Sequence, residues 1–291
     1  MREPLRPKPL SAPRWRNQAI IDAASRLMGQ YEAIVGREYI TTTGLSFDHF
    51  YEHLIFPKFG VNLYEDDDLG EDGDGHKLLG RYDVRGNAAH LDQIISRESN
   101  DPRRTYTCWH EVAGHGVLQG AWLRKQLERP GGRESIDVTE ISLSPDEERI
   151  LERQANLFAS HLAAPDWLVN YAINTIFRPT RKFYFKEPCV YYLEGYGLKI
   201  KNYIFDAGHL SRWIGAKISA LFGGLSAEAL GYRITALGWI DDRSLPNIGL
   251  HRSAKSLRPS FQLADELSAC VADLLAAGKR QQASASLMEV A

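Results

Sequence analysis

Two histidines and a glutamate lie close together near the middle of the chain, where they could hold and use a metal ion. They occur in residues 110–115, whose sequence is HEVAGH. Imidazole nitrogens are common zinc ligands, and a glutamate beside the first ligand is placed to activate a zinc-bound water. The pattern therefore indicates Zn²⁺-dependent hydrolysis, with His110 and His115 as metal ligands and Glu111 as the general base.

The spacing of the two histidines is longer than in the common HExxH motif. Histidines four residues apart lie about 40° apart around an α-helix, whereas a five-residue spacing gives about 140°. A regular α-helix would therefore not bring His110 and His115 to one ion. A π-bulge, which absorbs an extra residue and often lies at functional sites, would restore their convergence. Gly114 has the backbone freedom to allow such a widening near Val112–Gly114, although a close contact between helices would equally explain this glycine.

Zinc needs a third protein ligand, and the sequence offers two glutamates for it. Glu148 and Glu152 lie one turn apart on a second predicted helix, which starts at Ser144. Glu152 is preferred because it lies nearer the helix middle, beside Ala155 and Ala159, whose small side chains would let two helices pack closely. A catalytic zinc site keeps one further position for water. Since His-Glu pairs also occur by chance on helices, the third ligand decides whether this is a metal site.

Other groups of potential ligands are weaker candidates. His49 and His53 share a predicted helix face, but no acid or cysteine is obviously paired with them. The acidic run at residues 65–75 does not follow the EF-hand order of calcium ligands and lacks its closing glutamate, so an exposed acidic loop is the better interpretation. His161 lies about half a turn out of phase with Glu152.

The composition is that of an ordinary globular protein. The chain has 291 residues, of which 44% are hydrophobic and 25% charged, and its formal net charge is −2. This charge gives no overall attraction to nucleic acid or anionic membranes. The three cysteines form no CxxC pair, so a disulfide framework is not expected. No apolar run is long enough for a membrane span. The start of the chain is basic and proline-rich but lacks the apolar core of a secretory signal, so we expect a cytoplasmic protein.

The remaining elements predict an α+β fold. We expect a disordered basic arm over residues 1–17, a main domain over residues 18–245 that carries the histidine motif, and a C-terminal helix and tail over residues 246–291. Helices are predicted at residues 16–35, 46–56, 166–178, 208–222, 226–237 and 262–277. Strands are predicted at residues 60–64, twice within residues 77–95 and at 136–141, with a hairpin or irregular insert at residues 181–205.

Two motifs together resemble the ImmA/IrrE family of zinc metallopeptidases. The first is YTCWHEVAGHGVLQG, and the second is LERQANLFASHLAAP, which fits the family pattern E-x-x-A-N-x-F-A-x-x-L-x-x-P. The residues that match the second pattern are Glu152, Ala155, Asn156, Phe158, Ala159, Leu162 and Pro165. Residues 220–240 resemble the end helices of that family, so the resemblance covers roughly residues 18–242. The family normally shows HExxH, whereas the HExxGH spacing here is similar to that by which the dipeptidyl peptidase III family holds zinc.

The resemblance implies a gluzincin-like domain, in which a small sheet packs on several helices and the two motif helices cross at the zinc. It implies a zinc-dependent endopeptidase with His110, His115 and Glu152 as ligands and Glu111 as the base. The expected substrate is a regulatory protein, for example a helix-turn-helix repressor of a mobile element or stress response.

Two other classes of function stay open from the sequence. The first is a catalytically inactive relative that binds a protein partner without cleaving it, and the longer histidine spacing is the feature in its favour. The second class is DNA binding through the basic arm, but the net charge and the lack of an evident recognition helix argue against it. Direct nucleic-acid binding and a membrane partner are therefore not expected.

Overall fold

A computed structural model describes residues 12–244, apart from residues 74, 98–100, 128–142, 180–181, 187–188 and 196–197. For residues 189–195 and 198–203 it describes the backbone alone. The described residues form two compact units, one within residues 1–168 and 219–226 and the other within residues 169–218 and 227–291. Helices are combined with small sheets, which confirms the predicted α+β class. The division between the units falls inside the range predicted as a single domain.

The helices of the first unit surround the histidine motif. They are α1 (Asn17–Val35), α2 (Arg37–Thr43), α3 (Phe47–Phe50, π-helical Tyr51–Ile55 and Phe56–Phe59), α4 (Gln93–Ser96), α5 (Pro102–Cys108, π-helical Trp109–Gln119 and Gly120–Leu127) and α6 (Pro145–Ala163). Helix α1 buries Ile20, Ala24, Leu27 and Tyr31, as their spacing predicts, and packs against α6. Ile34, which the spacing placed on the same face, is 51% exposed.

Two helical features differ from the sequence predictions. Helix α2 is not predicted, because its short sequence REYITTT is rich in residues with low helix propensity. Helix α3 was predicted over residues 46–56, with Pro57 and Gly60 ending it, but it continues to Phe59. Pro57 lies in the first turn of the last α-helical segment, where a missing N–H is tolerated. The helix ends instead at Gly60, which adopts the left-handed conformation (φ 61°).

A three-stranded sheet forms the second layer of this unit. Its strands are β1 (Asn62–Asp67), β2 (Gly80–Asp83) and β3 (Ala88–Asp92), in the order β1-β3-β2. Strand β3 runs parallel to β1 and antiparallel to β2, and β2 and β3 are the two strands predicted within residues 77–95. Both β2 and β3 contact the π-helical segment of α5. The sheet therefore lies directly behind the histidine motif.

The second unit contains most of α7 (Asp166–Ile176) together with α8 (Ala207–Ile218), α9 (Ala227–Ala236) and two pairs of strands. Strand β4 (Phe183–Phe185) pairs in parallel with β7 (Ile240–Asp242), and β5 (Cys189–Gly195) forms an antiparallel hairpin with β6 (Leu198–Ile204). The three predicted helices and the predicted hairpin are thus confirmed. Helices α8 and α9 pack closely where Gly215 faces Leu230.

The ends of the chain give a mixed outcome. Residues 12–16 were predicted as part of a disordered arm, yet Ala12 is buried and its N–H donates to Glu147 Oε1 at 3.2 Å. Gln154 Nε2 donates to the carbonyl of Pro13 at 2.7 Å, so this segment lies on α6. Residues 1–11, the predicted strand at 136–141 and the helix at 262–277 lie outside the described residues. In the part of the chain that is described, no helix is long and apolar enough to cross a membrane.

Candidate metal centre

The predicted metal ligands meet where α5 and α6 pack together. His110 Nε2 lies 3.0 Å from His115 Nε2 and 3.1 Å from Glu152 Oε2. His115 Nε2 lies 3.2 Å from Glu152 Oε1. Glu152, rather than the alternative Glu148, therefore faces both histidines. Its side chain is 55% exposed, so the cluster is open to solvent on this side.

A π-helix brings the two histidines together, as their spacing requires. The widening predicted near Val112–Gly114 is confirmed, but it is longer than a single bulge and spans the 11 residues Trp109–Gln119. In a π-helix each N–H bonds the carbonyl five residues earlier, so residue i+5 lies above residue i. His115 consequently stands above His110 on one face of α5.

The close approach of α5 and α6 depends on two small residues. A Cβ added at Gly114 would lie 2.8 Å from Ala155 Cβ and 3.0 Å from the Ala155 carbonyl oxygen. Gly114 is helical and is not among the glycines with a positive φ. Of the two explanations offered for this glycine, the contact with Ala155 supports close packing. Ala155 acts as predicted, by letting the second helix come near.

The start of α5 is held by charged residues. The Asp101 carboxylate caps the helix by accepting from the backbone N–H of Arg103 at 2.8 Å. Arg104 lies 2.6 Å from Glu65 of β1 and 3.1 Å from Asp48 of α3. Because this guanidinium is largely buried, its ion pairs join the helix to the sheet and to α3 more firmly than exposed pairs would.

Gln119, which the sequence analysis did not single out, fixes the hydrogen on His115. The carbonyl of Leu151 can only accept a hydrogen bond, so Gln119 must present Nε2 to it, at 2.7 Å. Gln119 Oε1 then faces His115 Nδ1 at 3.0 Å and can only accept from it. In its neutral form His115 therefore carries its hydrogen on Nδ1. The lone pair is on Nε2, the atom that faces His110 and Glu152.

This arrangement calls for a cation. His115 Nε2 and Glu152 Oε1 are both acceptors, so their contact is favourable only with a proton or a metal ion between them. Burial alone lowers the pKa of His115, but the hydrogen bond to Glu152 and the charge of Glu111 raise it to about 9. Burial raises the pKa of Glu152, but its hydrogen bonds to His110 and His115 outweigh burial and hold that pKa far below the usual range. In the metal-free protein a proton therefore takes the position of the cation.

The donor atoms also fit a zinc ion in their separations. Tetrahedral zinc with bonds of about 2.0–2.1 Å has neighbouring ligands about 3.3 Å apart. The two Nε2 atoms are 3.0 Å apart, and each lies 3.1–3.2 Å from a different oxygen of Glu152, which is close to this separation. The two histidines differ at their other ring nitrogen. His115 Nδ1 is hydrogen-bonded to Gln119, whereas His110 Nδ1 is buried and has no hydrogen-bond partner among the described residues.

Glu111 lies beside the cluster and is buried. Its Oε1 is 4.0 Å from His110 Nε2, farther than either oxygen of Glu152 is from the histidine that it faces. His110, Glu111 and His115 form the group of potential ligands whose atoms all lie within 4.8 Å of one another. Burial raises the pKa of the Glu111 carboxyl, which brings it closer to that of a useful general base. The two carboxylates therefore differ in burial and in their distance from the histidines.

A glycine on the sheet makes room for Glu111. A Cβ added at Gly80, on β2, would lie 2.7 Å from Glu111 Cγ, and Thr107 would also clash with it. The sequence offered no sign of this contact, because it joins residues distant in the chain.

A tyrosine at the mouth of the cluster was also missed. The Tyr106 hydroxyl donates to Asn156 Oδ1 at 3.0 Å, and its ring lies beside that of His110. Burial and the charge of Glu152 raise the pKa of this hydroxyl, so it is protonated at neutral pH. The helical spacing of four residues before His110 is the only signal in the sequence that could have identified it.

The weaker candidate ligands, two histidines and the acidic loop, form hydrogen bonds and ion pairs with other side chains and with the backbone. His49 Nδ1 is hydrogen-bonded to the Tyr31 hydroxyl at 2.6 Å, and His53 Nδ1 donates to the His49 carbonyl at 2.9 Å. Lys77 bridges Asp68 and Asp92 across the acidic loop, at 2.7 and 3.1 Å. These contacts agree with structural roles for both groups.

No protein-family model matches the chain, and a search of curated proteins finds no match.

Proposed function

We propose that this protein is a zinc-dependent endopeptidase of the ImmA/IrrE type, with a gluzincin-like domain that cleaves a regulatory protein. His110, His115 and Glu152 would hold the zinc, and Glu111 would act as the general base. The observation that carries the proposal is the lone pair of His115, which Gln119 directs at His110 and Glu152. Histidines that bind a metal usually donate their other ring N–H to a neighbouring acceptor, which fixes their tautomer. Gln119 is such an acceptor for His115.

Zinc is the metal that this donor set favours. Two imidazoles and one carboxylate are a common catalytic zinc set, which leaves one position open. A calcium or magnesium site would instead be built mainly from oxygen ligands. The small size of the cluster also suits a four-coordinate ion.

The chain's own residues supply the rest of the chemistry. Zinc bound here would act as a Lewis acid, making a water molecule more acidic and polarising a carbonyl group. Glu111 would accept a proton from the attacking water and pass it to the leaving amine. Its raised pKa, caused by burial, makes this carboxylate a stronger base than an exposed one. Gly80 would keep the carboxylate beside the zinc by leaving space for its side chain.

The sheet offers a place for an extended peptide. Strand β2 is an edge of the β1-β3-β2 sheet, and its first residue, Gly80, packs against Glu111. A peptide that paired with this edge would run past the base, as extended peptides do when they add to a sheet. This supports a protein substrate over a small molecule. A helix-turn-helix repressor remains the proposed partner by resemblance alone.

Glu111→Gln tests the reaction without removing the metal. The amide keeps the size of the side chain but is not a base, so we expect zinc content to be unchanged and proteolysis to fall by about 10²-fold or more. The assay uses a repressor encoded near this gene as substrate, with the cleavage products identified by mass spectrometry. A zinc-loaded parent that binds this repressor and never cuts it would favour the alternative, a protein-binding module.

A further inference from the structure

The Tyr106–Asn156 pair lies one helical turn from the His110–Glu152 pair. Tyr106 precedes His110 by four residues on α5, and Asn156 follows Glu152 by four residues on α6. The hydroxyl donates to Asn156 Oδ1 at 3.0 Å, and the rings of Tyr106 and His110 are 6.5 Å apart at 27°. Both Asn156 and Glu152 are exposed, so this pair stands on the open side of the cluster.

A protonated hydroxyl beside an open metal position can bind a substrate oxygen. In peptide hydrolysis the carbonyl oxygen gains negative charge, and a donor aimed at it contributes most in the transition state. Among the polar groups at this mouth, Glu152 and Asn156 Oδ1 present acceptors, whereas Tyr106 presents an O–H.

Asn156 is the partner that such a donor needs before substrate arrives. Its carbonyl oxygen is a neutral acceptor, so Tyr106 can exchange it for a substrate oxygen with little loss while that oxygen is neutral. Once the oxygen is charged, the hydrogen bond becomes roughly twice as strong. The interaction therefore stabilises the transition state more than the bound substrate, which is the requirement for catalysis.

We propose that Tyr106 is a catalytic residue whose hydroxyl leaves Asn156 and donates to the carbonyl oxygen of the peptide under attack. This inference rests on the proposed function. It supplies the second group that binds the oxygen, beside the zinc, and it assigns Asn156 the role of holding the hydroxyl in place.

Tyr106→Phe and Asn156→Ala form a matched pair, because both break the same hydrogen bond and only the first removes the donor. The structural alternative is a link that merely ties α5 to α6. Such a link would weaken zinc binding equally in the two variants. A donor to the substrate oxygen would be lost in Tyr106→Phe alone.

The experiment measures zinc affinity first and then the affinity for inorganic phosphate, an oxyanion probe, in the Co²⁺-loaded proteins by visible absorption. We expect Tyr106→Phe to keep its zinc affinity, to bind phosphate about 10-fold more weakly or worse, and to lose about 10²–10³-fold in kcat. Asn156→Ala should keep its zinc affinity and should lose less in phosphate affinity and kcat than Tyr106→Phe, because the donor remains but is no longer held in place.

Equal losses in the two variants, or unchanged phosphate binding and kcat in Tyr106→Phe, would overturn the role of Tyr106 and leave the zinc site standing. A parent protein that binds no zinc would overturn the proposed function and this inference together. The zinc measurement, made before any phosphate titration, separates these two failures.

Discussion

Gly114 of the histidine helix lies against Ala155 of the glutamate helix, so closely that a methyl group added at Gly114 would stand 2.8 Å from Ala155 Cβ. This contact sets the distance between α5 and α6, and with it the distance from Glu152 to the two histidines. The metal centre therefore depends on residues that carry no metal-binding atom.

Gly114→Ala should weaken zinc binding while leaving the chain folded. The added methyl group would push the helices apart, since overpacking of this kind usually costs about 1–3 kcal/mol. We expect a loss in zinc affinity of about 10-fold, measured by competition with a chelator. Gly29→Ala is the matched control, because a Cβ added there on α1 meets nothing within 4 Å. Equal zinc affinities in the two variants would refute the spacing argument.

Much of this arrangement was predictable from the sequence, because its signals are local. The five-residue spacing required a widened helix, and the pattern around Glu152 distinguished it from Glu148. The length of the π-helix was not predictable, since it is set by packing against the sheet and α6. Gln119, Gly80 and Tyr106 were missed because their roles come from contacts between distant parts of the chain.

Gln119→Leu should reduce zinc affinity by about 10–100-fold, the usual effect of losing a group that orients a ligand. His115 would lose the acceptor that keeps its hydrogen on Nδ1, and the carbonyl of Leu151 would lose its donor. Gln126→Leu provides the control, because Gln126 is buried on the same helix and bonds the carbonyl of Trp122 instead. Titration with a zinc-sensitive chelator measures both. If Gln126→Leu proved as damaging as Gln119→Leu, the effect would be one of general destabilisation.

The stability of the metal-free protein should fall between about pH 6.5 and 9. The pKa of His115 is raised from 6.5 to about 9 in the folded chain. The protonation of His115 therefore stabilises the folded state fully below the pKa of the unfolded chain, and this stabilisation is lost as pH rises through the pKa of the folded chain. Because zinc bound at the proposed site would replace this proton, the difference in Tm between zinc-loaded and metal-free protein should grow over the same range. Thermal unfolding in the presence and absence of EDTA measures it.

His115→Ala is the control for this pH dependence, since the variant has no such proton to lose. Its metal-free Tm should vary less across pH 6.5–9 than that of the parent. An identical slope in both proteins would mean that another group titrates.

Gly80→Ala should lower activity without removing the metal. A Cβ at this position would clash with Thr107 Cγ2 and lie 2.7 Å from Glu111 Cγ, so it would displace the proposed base. We expect zinc content to stay as in the parent and kcat to fall by about 10-fold or more, within the range of general-base effects. Gly73→Ala is the control, because a Cβ there meets nothing within 4 Å. Loss of zinc in Gly80→Ala would show that β2 also positions the metal ligands, and not the base alone.

The most direct test of the central claim is the zinc content of protein purified without added zinc, compared among the parent, Glu152→Ala and Glu148→Ala. The oxygens of Glu152 lie 3.1 and 3.2 Å from the two histidines, while Glu148 is one turn away. We predict about one zinc ion per chain in the parent and in Glu148→Ala, and little or none in Glu152→Ala. A parent that holds no zinc, even after incubation with it, would contradict the account. Full zinc content in Glu152→Ala would contradict the proposed role of Glu152 as a zinc ligand.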